Sequence, residues 1–213
     1  MVINQYCTAY GNLVPLHRTF SGAKVQNKTQ NTDDMSRILV LVGSVRWGGN
    51  TDLLARAFAR GAQEHHDVEI VSVADYKVSP CIGCNSCFER ADHACFLKDD
   101  MAEIYRKLRH TDVLVIASPV YFYGLSAQLK AVIDRLHTPL RNSFPIQRLA
   151  LLLVGAATLP ELFDAIKTQY RLALNFFHLE DAGMLLVRGV KDIGDIQATD
   201  AQEQAYWLGH NIK

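Results

Sequence analysis

Apolar residues come in blocks along the chain, separated by polar turns and helically spaced segments. Residues 38–42 (ILVLV) form a continuous apolar run, the pattern of a strand buried on both faces of a parallel sheet. A glycine-rich turn follows, and then Leu54, Ala57, Phe58 and Gly61 recur at the spacing of one helix face. Residues 68–73 predict a second strand. After an interruption, Met101, Ile104, Tyr105 and Leu108 mark a helix within "KDDMAEIYRKLRH". "DVLVIAS" (112–118), "LALLLVG" (149–155) and "GMLLVRG" (183–189) predict three more strands. Between them, Leu125, Leu129, Val132, Ile133 and Leu136 mark one helix, and residues 160–177 another through Leu162, Ile166, Tyr170 and Phe177; a short helix near 199–209 closes the chain. Five strands alternating with helices predict an α/β fold, a doubly wound parallel sheet with right-handed crossovers and helices on both faces. Ahead of this pattern, "SGAKVQNKTQNTDD" is polar and aperiodic. It predicts a flexible N-terminal extension over residues 1–35, followed by one domain over 36–213.

The bulk composition narrows the function classes. A chain of 213 residues with 49% hydrophobic and 21% charged residues can bury a core of ordinary size. Lys+Arg and Asp+Glu both number 22, so the basic excess of a nucleic-acid or anionic-membrane binder is missing. No apolar run nears the roughly 20 residues that span a bilayer. The opening "MVINQYCTAYGNLVPLHRTFSG" lacks the charged start and apolar core of a secretory signal. A cytoplasmic protein without nucleic-acid or membrane partners is expected. In that reducing setting, close-set cysteines suggest metal or redox chemistry rather than a disulfide framework.

In open α/β sheets, ligands bind beyond the carboxyl ends of the strands, so the loops after the first and third strands carry most information. The first, "GSVRWGGNT" (43–51), offers Ser44, Asn50 and Thr51 as polar groups, Arg46 as a cation, and glycines that let N–H groups turn inward. It runs into a helix N-terminus, where unsatisfied N–H groups and partial positive charge favour an anion, most simply a phosphate. Neither G-x-G-x-x-G nor G-K-[ST] is present. The plainer alternative is that Asn50 or Thr51 merely caps the helix. The second loop, "SPVYFYGLSAQLK" (118–130), sets Tyr121, Phe122 and Tyr123 in a row. Three consecutive rings cannot all point inward from an extended segment, so at least one is expected to line a cleft for a flat aromatic ligand.

"GSVRWGGNTDLLA", "PCIGCNSCF…CFLKDDM" and "ASPVYFYGLSAQLKAVIDR" together resemble the NADPH-dependent FMN reductase family, in the flavodoxin-like branch that includes the iron–sulfur flavoproteins. The likeness runs from about residue 37 to residue 195. It implies strand order 2-1-3-4-5 and FMN as cofactor. It points to Ser44, Arg46, Gly49, Asn50 and Thr51 around the phosphate, and to Pro119, Val120, Tyr121, Phe122, Tyr123 and Gly124 beside the ring. Thr158, in "GAATLP" after the fourth strand, would border the ring's other side. The commoner family form has proline at Val45 and a polar residue at Trp47.

The insertion at 80–98 carries Cys81, Cys84, Cys87 and Cys95 with spacings of two, two and seven residues. Four thiolates in one compact loop suit a 4Fe–4S cluster, and the resemblance makes these four its ligands. A structural zinc site is a second reading, with His93 able to replace one thiolate; free thiols are the third. Elsewhere, His65 and His66 fall between helix and strand and read as solvated. Asp134 and Arg135 read as a structural ion pair or subunit contact. The chain offers no Ser/His/Asp or paired-carboxylate arrangement, which suits an enzyme whose cofactor carries the chemistry.

The resemblance implies an NAD(P)H-dependent FMN oxidoreductase in which hydride passes from nicotinamide to flavin and then to a quinone, flavin or other aromatic acceptor, by a ping-pong mechanism. Backbone N–H groups of 119–124 are expected to meet negative charge developing on the ring. A homodimer or homotetramer is expected. The alternative is an electron carrier using FMN with a 4Fe–4S cluster.

Overall fold

The computed structural model describes residues 35–213. The extension expected over 1–35, with Cys7 in it, lies outside the described residues apart from Met35. Five strands form one parallel sheet: β1 (Arg37–Val42), β2 (Asp67–Ser72), β3 (Val113–Pro119), β4 (Arg148–Val154) and β5 (Glu180–Val187), in spatial order β2-β1-β3-β4-β5. That is the expected flavodoxin-like order, with its switch point between β1 and β3.

Helices are α1 (Asn50–Ala62), α2 (Ser86–Glu89), α3 (Met101–Leu108), α4 (Ala127–Asp134), α5 (Asp164–Phe177) and α6 (Ala201–His210). Successive strand side chains face opposite ways. Ile38, Val40 and Val42 therefore pack with α1 and α6, while Leu39 and Leu41 pack with α3, α4 and α5. Each of these β1 residues is fully or nearly fully buried, which is why the strand is apolar throughout instead of alternating. Full burial of one such side chain contributes about 1.5–3 kcal/mol. Among the described residues, no helix is long and apolar enough to cross a membrane.

Two elements start several residues from where the sequence pattern sets them, and one helix was not expected. The helix expected from residue 160 starts at Asp164. The residues before it form three-residue turns, Leu162 N–H to Leu159 O and Asp164 N–H to Glu161 O. The strand expected at 183 starts at Glu180, because pairing with β4 shifts register between Leu149 and Leu151, where Gly183 takes φ +104°. Such a bulge hides the period of a strand. The short helix α2 inside the cysteine segment had no helical period to reveal it. The two adjacent histidines also part company. His66 accepts from Ser36 N–H at 3.2 Å and donates to Ile212 O at 2.9 Å, so it is a tie rather than a solvated group. His65 is exposed.

Candidate cofactor site

The N-terminus of α1 opens beyond the carboxyl end of β1. Its N-cap is Gly49, and no side chain caps it, so the plainer alternative, that Asn50 or Thr51 merely caps the helix, is not met. The N–H groups of Asn50, Thr51 and Asp52 find no acceptor among the described residues. A helix normally satisfies these groups with side chain, water or ligand. Thr51 is 3% exposed, and its hydroxyl makes no side-chain hydrogen bond among the described residues, so it is open to the cavity it lines. Ser44 bends the loop by accepting from Arg46 N–H at 3.1 Å. Asp52 accepts from Gly48 N–H at 3.0 Å while Arg56 pairs with it at 3.0 Å. Gly48 sits at φ +66°, a conformation that costs glycine nothing. Arg56 offsets the Asp52 charge, and the open helix end keeps its positive character.

Asn50 lines the cavity and also ties it to the loop after β5. Its Nδ2 donates to Asp192 O at 2.8 Å, and its Oδ1 accepts from Gly194 N–H at 3.2 Å and Ile196 N–H at 3.3 Å. The amide is thus tied to the loop after β5, leaving one Nδ2 hydrogen and the backbone N–H for a ligand. That loop contributes Val190, Lys191 and Ile193 to the cavity wall.

After β3 the chain makes a tight hairpin. Tyr121 and Gly124 exchange N–H···O bonds at 3.0 and 3.1 Å, and the residues between them, Phe122 and Tyr123, have φ +47° and +64°. Two positive φ values define a type I′ turn, normally an Asn-Gly position. Each costs a bulky L-residue about 1–2 kcal/mol, and strain of this kind collects at ligand sites. Val120 N–H donates to Val154 O at 2.8 Å, and Pro119 has no N–H. Of the 119–124 backbone donors, Phe122 and Tyr123 alone have no acceptor among the described residues. The expected role of this backbone therefore narrows to those two N–H groups.

Together these parts enclose a cavity of about 180 Å³ lined by Ser44, Arg46, Gly49, Asn50, Thr51, Pro119, Val120 and Tyr121, with Val154, Ala156, Val190, Lys191 and Ile193. Phe122 (98% exposed), Tyr123 and Gly124 lie outside the lining, as does Thr158, which packs beside Gly189. Ala156, two residues earlier, lines the cavity. Trp47 is largely exposed and also outside the lining. Sequence reasoning missed Lys191 and its neighbours, although a lysine just past the fifth strand is where a second cation for an anion would be sought. One end of the cavity is cationic and rich in open N–H groups, and the other is apolar. This donor set fits a flat ligand carrying a phosphate, as FMN does.

The four cysteines of the insertion all line one smaller cavity of about 120 Å³, together with Phe88, Asp134 and His137 among others. All are free thiols. Among the described residues, no three cysteine sulfurs gather within 4.8 Å. A tetrahedral zinc with Zn–S of about 2.3 Å needs sulfurs roughly 3.8 Å apart, so the spacing is wider than a closed zinc site. His93 stands outside the lining, its Nδ1 3.1 Å from Cys87 O, while His137 lines the cavity. The Ser86 hydroxyl, donating to Cys84 Sγ at 3.4 Å, holds that thiol below its ordinary pKa. Gly83, Asn85 and His93 all have positive φ, so the loop is tightly folded rather than slack.

Both margins of the segment are fastened. Asp99 accepts from Ser79 N–H at 2.9 Å and Met101 N–H at 3.3 Å, and pairs with Arg135 Nη1 at 2.6 Å. Arg135 also donates to Ser79 O at 3.2 Å, and its own carbonyl accepts from Tyr105 Oη at 2.6 Å. Burial pushes the Tyr105 phenol up to about 12, against the pull of the Arg135 charge. Arg135 is thus structural, as expected, but its partner is Asp99; Asp134 pairs with Lys130 instead.

Sheet order and topology define a flavodoxin-like protein, with a candidate cofactor cavity at its switch point. Residues 36–190 match the family model of NADPH-dependent FMN reductases, and the chain belongs to that family. An iron–sulfur flavoprotein of Methanocaldococcus jannaschii is 43% identical over 112 residues, 52% of this chain and 56% of that protein. An iron–sulfur flavoprotein of Methanosarcina thermophila is 35% identical over 122 residues, 57% of this chain and 61% of that protein. The chain thus spans about half the length of the curated relatives it matches. A solved NAD(P)H:quinone oxidoreductase from Methanothermobacter marburgensis superposes with a TM-score of 0.66 at 16% identity, covering 83% of this chain and 98% of that one. This likeness shows the shared fold.

Proposed function

We propose that the chain is an FMN-dependent NAD(P)H oxidoreductase that reduces a quinone, a flavin or another small aromatic acceptor. The observation that carries this reading is the single cavity joining an uncapped helix N-terminus to apolar strand ends. Bound FMN would supply hydride acceptance and electron release. The N–H groups of Asn50, Thr51 and Asp52, the Thr51 hydroxyl and the Arg46 and Lys191 cations would hold its phosphate. Pro119, Val120, Tyr121 and Ala156 would shelve the ring, and the Phe122 and Tyr123 N–H groups would meet charge growing at its edge. The cavity is open on one side, so donor and acceptor would use that face in turn. Four unpaired thiols fit a reducing, cytoplasmic setting. Exposed Leu172 and Phe176 on α5, next to an apolar cleft between α4 and α5, support assembly into a homodimer or homotetramer.

The convergence of Cys81, Cys84, Cys87 and Cys95 on one cavity supports a second reading, an electron carrier. There the four thiolates would hold a 4Fe–4S cluster, a group that exchanges single electrons with a partner. One experiment separates the readings: absorbance of protein purified without oxygen, with iron and sulfide analysis, followed by NADPH titration and steady-state kinetics. A plain flavin spectrum, bleached by NADPH, with parallel double-reciprocal lines against a quinone, is the expected result. Iron and sulfide near four per chain, with slow bleaching by NADPH, would replace the reductase with the carrier. Absence of flavin even after FMN is added would overturn both.

A further inference from the structure

At the opposite end of α1 from the cofactor cavity, three side chains converge that nothing described so far uses. The 13 residues of α1 put this place about 20 Å away along the helix axis. Glu64 and His65 follow the end of α1, and His210 is the last residue of α6. One carboxylate oxygen and one nitrogen from each imidazole lie within 4.8 Å of one another.

The arrangement is held rigidly. The helices α1 and α6 touch at backbone distance: a Cβ on Gly61 would lie 2.0 Å from Tyr206 O, and one on Gly209 would lie 2.1 Å from Phe58 O. Only glycine allows this approach, and it fixes the two helix ends relative to each other. The His210 ring is packed among the His65 ring at 4.9 Å, the Trp207 ring at 5.2 Å and the Tyr206 ring at 6.1 Å. Tyr206 donates its hydroxyl to Glu64 Oε1, orienting the carboxylate as an outer-shell partner does for a metal ligand. His66 is not available to the group, since both its ring nitrogens are occupied.

The pair Glu64 Oε2 and His210 Nδ1 is informative in itself. The two atoms are 3.1 Å apart, yet the buried nitrogen makes no aligned hydrogen bond. Two ligands of one ion stand in this relation: close together, with no hydrogen bond between them. Ligand bonds of about 2.0–2.2 Å around a tetrahedral ion put neighbouring ligand atoms roughly 3.3–3.6 Å apart. Two helices also end here, and each C-terminus carries partial negative charge that favours a cation. Two imidazoles with one carboxylate suit borderline ions such as zinc, cobalt or nickel rather than magnesium or calcium.

We propose that Glu64, His65 and His210 form a site for a divalent transition-metal ion, of the zinc class, that fastens the end of α6 to the end of α1. The proposal is independent of the flavin reading. The test is calorimetric titration of the full chain with Zn²⁺, after dialysis against a chelator and alkylation of the thiols so that the cysteine segment does not compete. One Zn²⁺ per chain is expected, with the thermal midpoint rising as metal is added, because an ion bound only by the folded state stabilises it. His65→Gln and His210→Gln are each expected to weaken binding at least about tenfold, the lower end for a disturbed metal shell, and to abolish the rise in midpoint. Flavin content should be unchanged in both. Because Trp207 adjoins His210, Ni²⁺ should quench its emission in wild type and not in His65→Gln, whose altered side chain is exposed and leaves α6 folded. Zinc uptake by a His65→Gln/His210→Gln double variant equal to wild type, or no uptake by wild type, would overturn the proposal.

Discussion

Asp99→Ala is expected to lower the thermal midpoint by about 10 °C and to loosen the cysteine segment. The side chains of Asp99 and Arg135 are 11% and 3% exposed, and removing one member of a buried pair leaves the other charge uncompensated, at about 3–5 kcal/mol. Each kcal/mol moves the midpoint of a domain this size by about 2–4 °C. Two backbone donors, Ser79 N–H and Met101 N–H, would also lose their acceptor. Because those donors sit at the margin of the insertion, all four thiols should react faster with a disulfide reagent in the variant. The pH dependence has a definite sign. Burial raises the Asp99 pKa, but the Arg135 guanidinium and the two N–H groups outweigh it and hold the carboxyl low. A group depressed in the folded state contributes its stability above its unfolded pKa of about 3.9, and that stability fades as pH falls through the folded value. The gap between wild type and Asp99→Asn should therefore be full at pH 7 and shrink below about pH 4. Circular dichroism melts at both pH values check this. A loss near 1 kcal/mol, the scale of an exposed pair, would mean that the clamp does not hold the segment.

The strands were legible because a parallel sheet covered on both faces demands continuous apolar runs, and Ile38–Val42 and Leu149–Val154 have no other use in a chain of this composition. What escaped the pattern are features decided by pairing. The start of β5 depends on a bulge against β4 at Gly183, and no local period records it. The hairpin at Phe122 and Tyr123 is a harder case. Its turn type favours Asn-Gly, so sequence argued for an extended segment with at least one ring in the cleft. Tyr121 does line the cavity, but the other two rings are displaced by strained backbone.

At the candidate site, residue type and element were legible but partners were not. A polar loop running into a helix announced an anion site, and Ser44, Arg46, Gly49 and Thr51 do line one cavity. Sequence could not tell that Asn50 would spend its amide on the loop around Asp192 and Ile196, far along the chain. The same blindness hid Glu64 and His210, which share no local motif and meet only because Gly61 and Gly209 let two helices touch. The cysteines are the opposite case. Their spacing predicted a common site, and they share one cavity, since a short loop leaves four thiols little room to separate.

Thr51→Glu is expected to abolish FMN retention while leaving the apoprotein folded. Thr51 is 3% exposed and its hydroxyl is unpaired among the described residues beside three open N–H groups. A carboxylate there would occupy those N–H groups and face the phosphate. Two like charges about 4 Å apart repel by roughly 4 kcal/mol at an effective dielectric of 20. Even half of that, added to the loss of the N–H donors, predicts FMN binding weaker by at least about 100-fold, since each factor of ten is about 1.4 kcal/mol. The same charge acts oppositely on the helix. An acidic residue in the first turn favours the macrodipole by about 0.3–1 kcal/mol, and this with the three N–H donors offsets part of the cost of placing a carboxylate at a buried position, so the apoprotein should stay folded with a melting temperature within a few degrees of wild type. A folding defect would lower both quantities, and only a phosphate site at this helix end separates them. Thr51→Val, which removes the hydroxyl without adding charge, should cost about tenfold or less, the scale of one hydrogen bond to a charged group. Fluorescence titration of the apoprotein with FMN, beside its melting curve, measures both. FMN affinity within threefold of wild type in Thr51→Glu would move the phosphate elsewhere in the cavity, with Lys191 and the loop after β5 the next place to look.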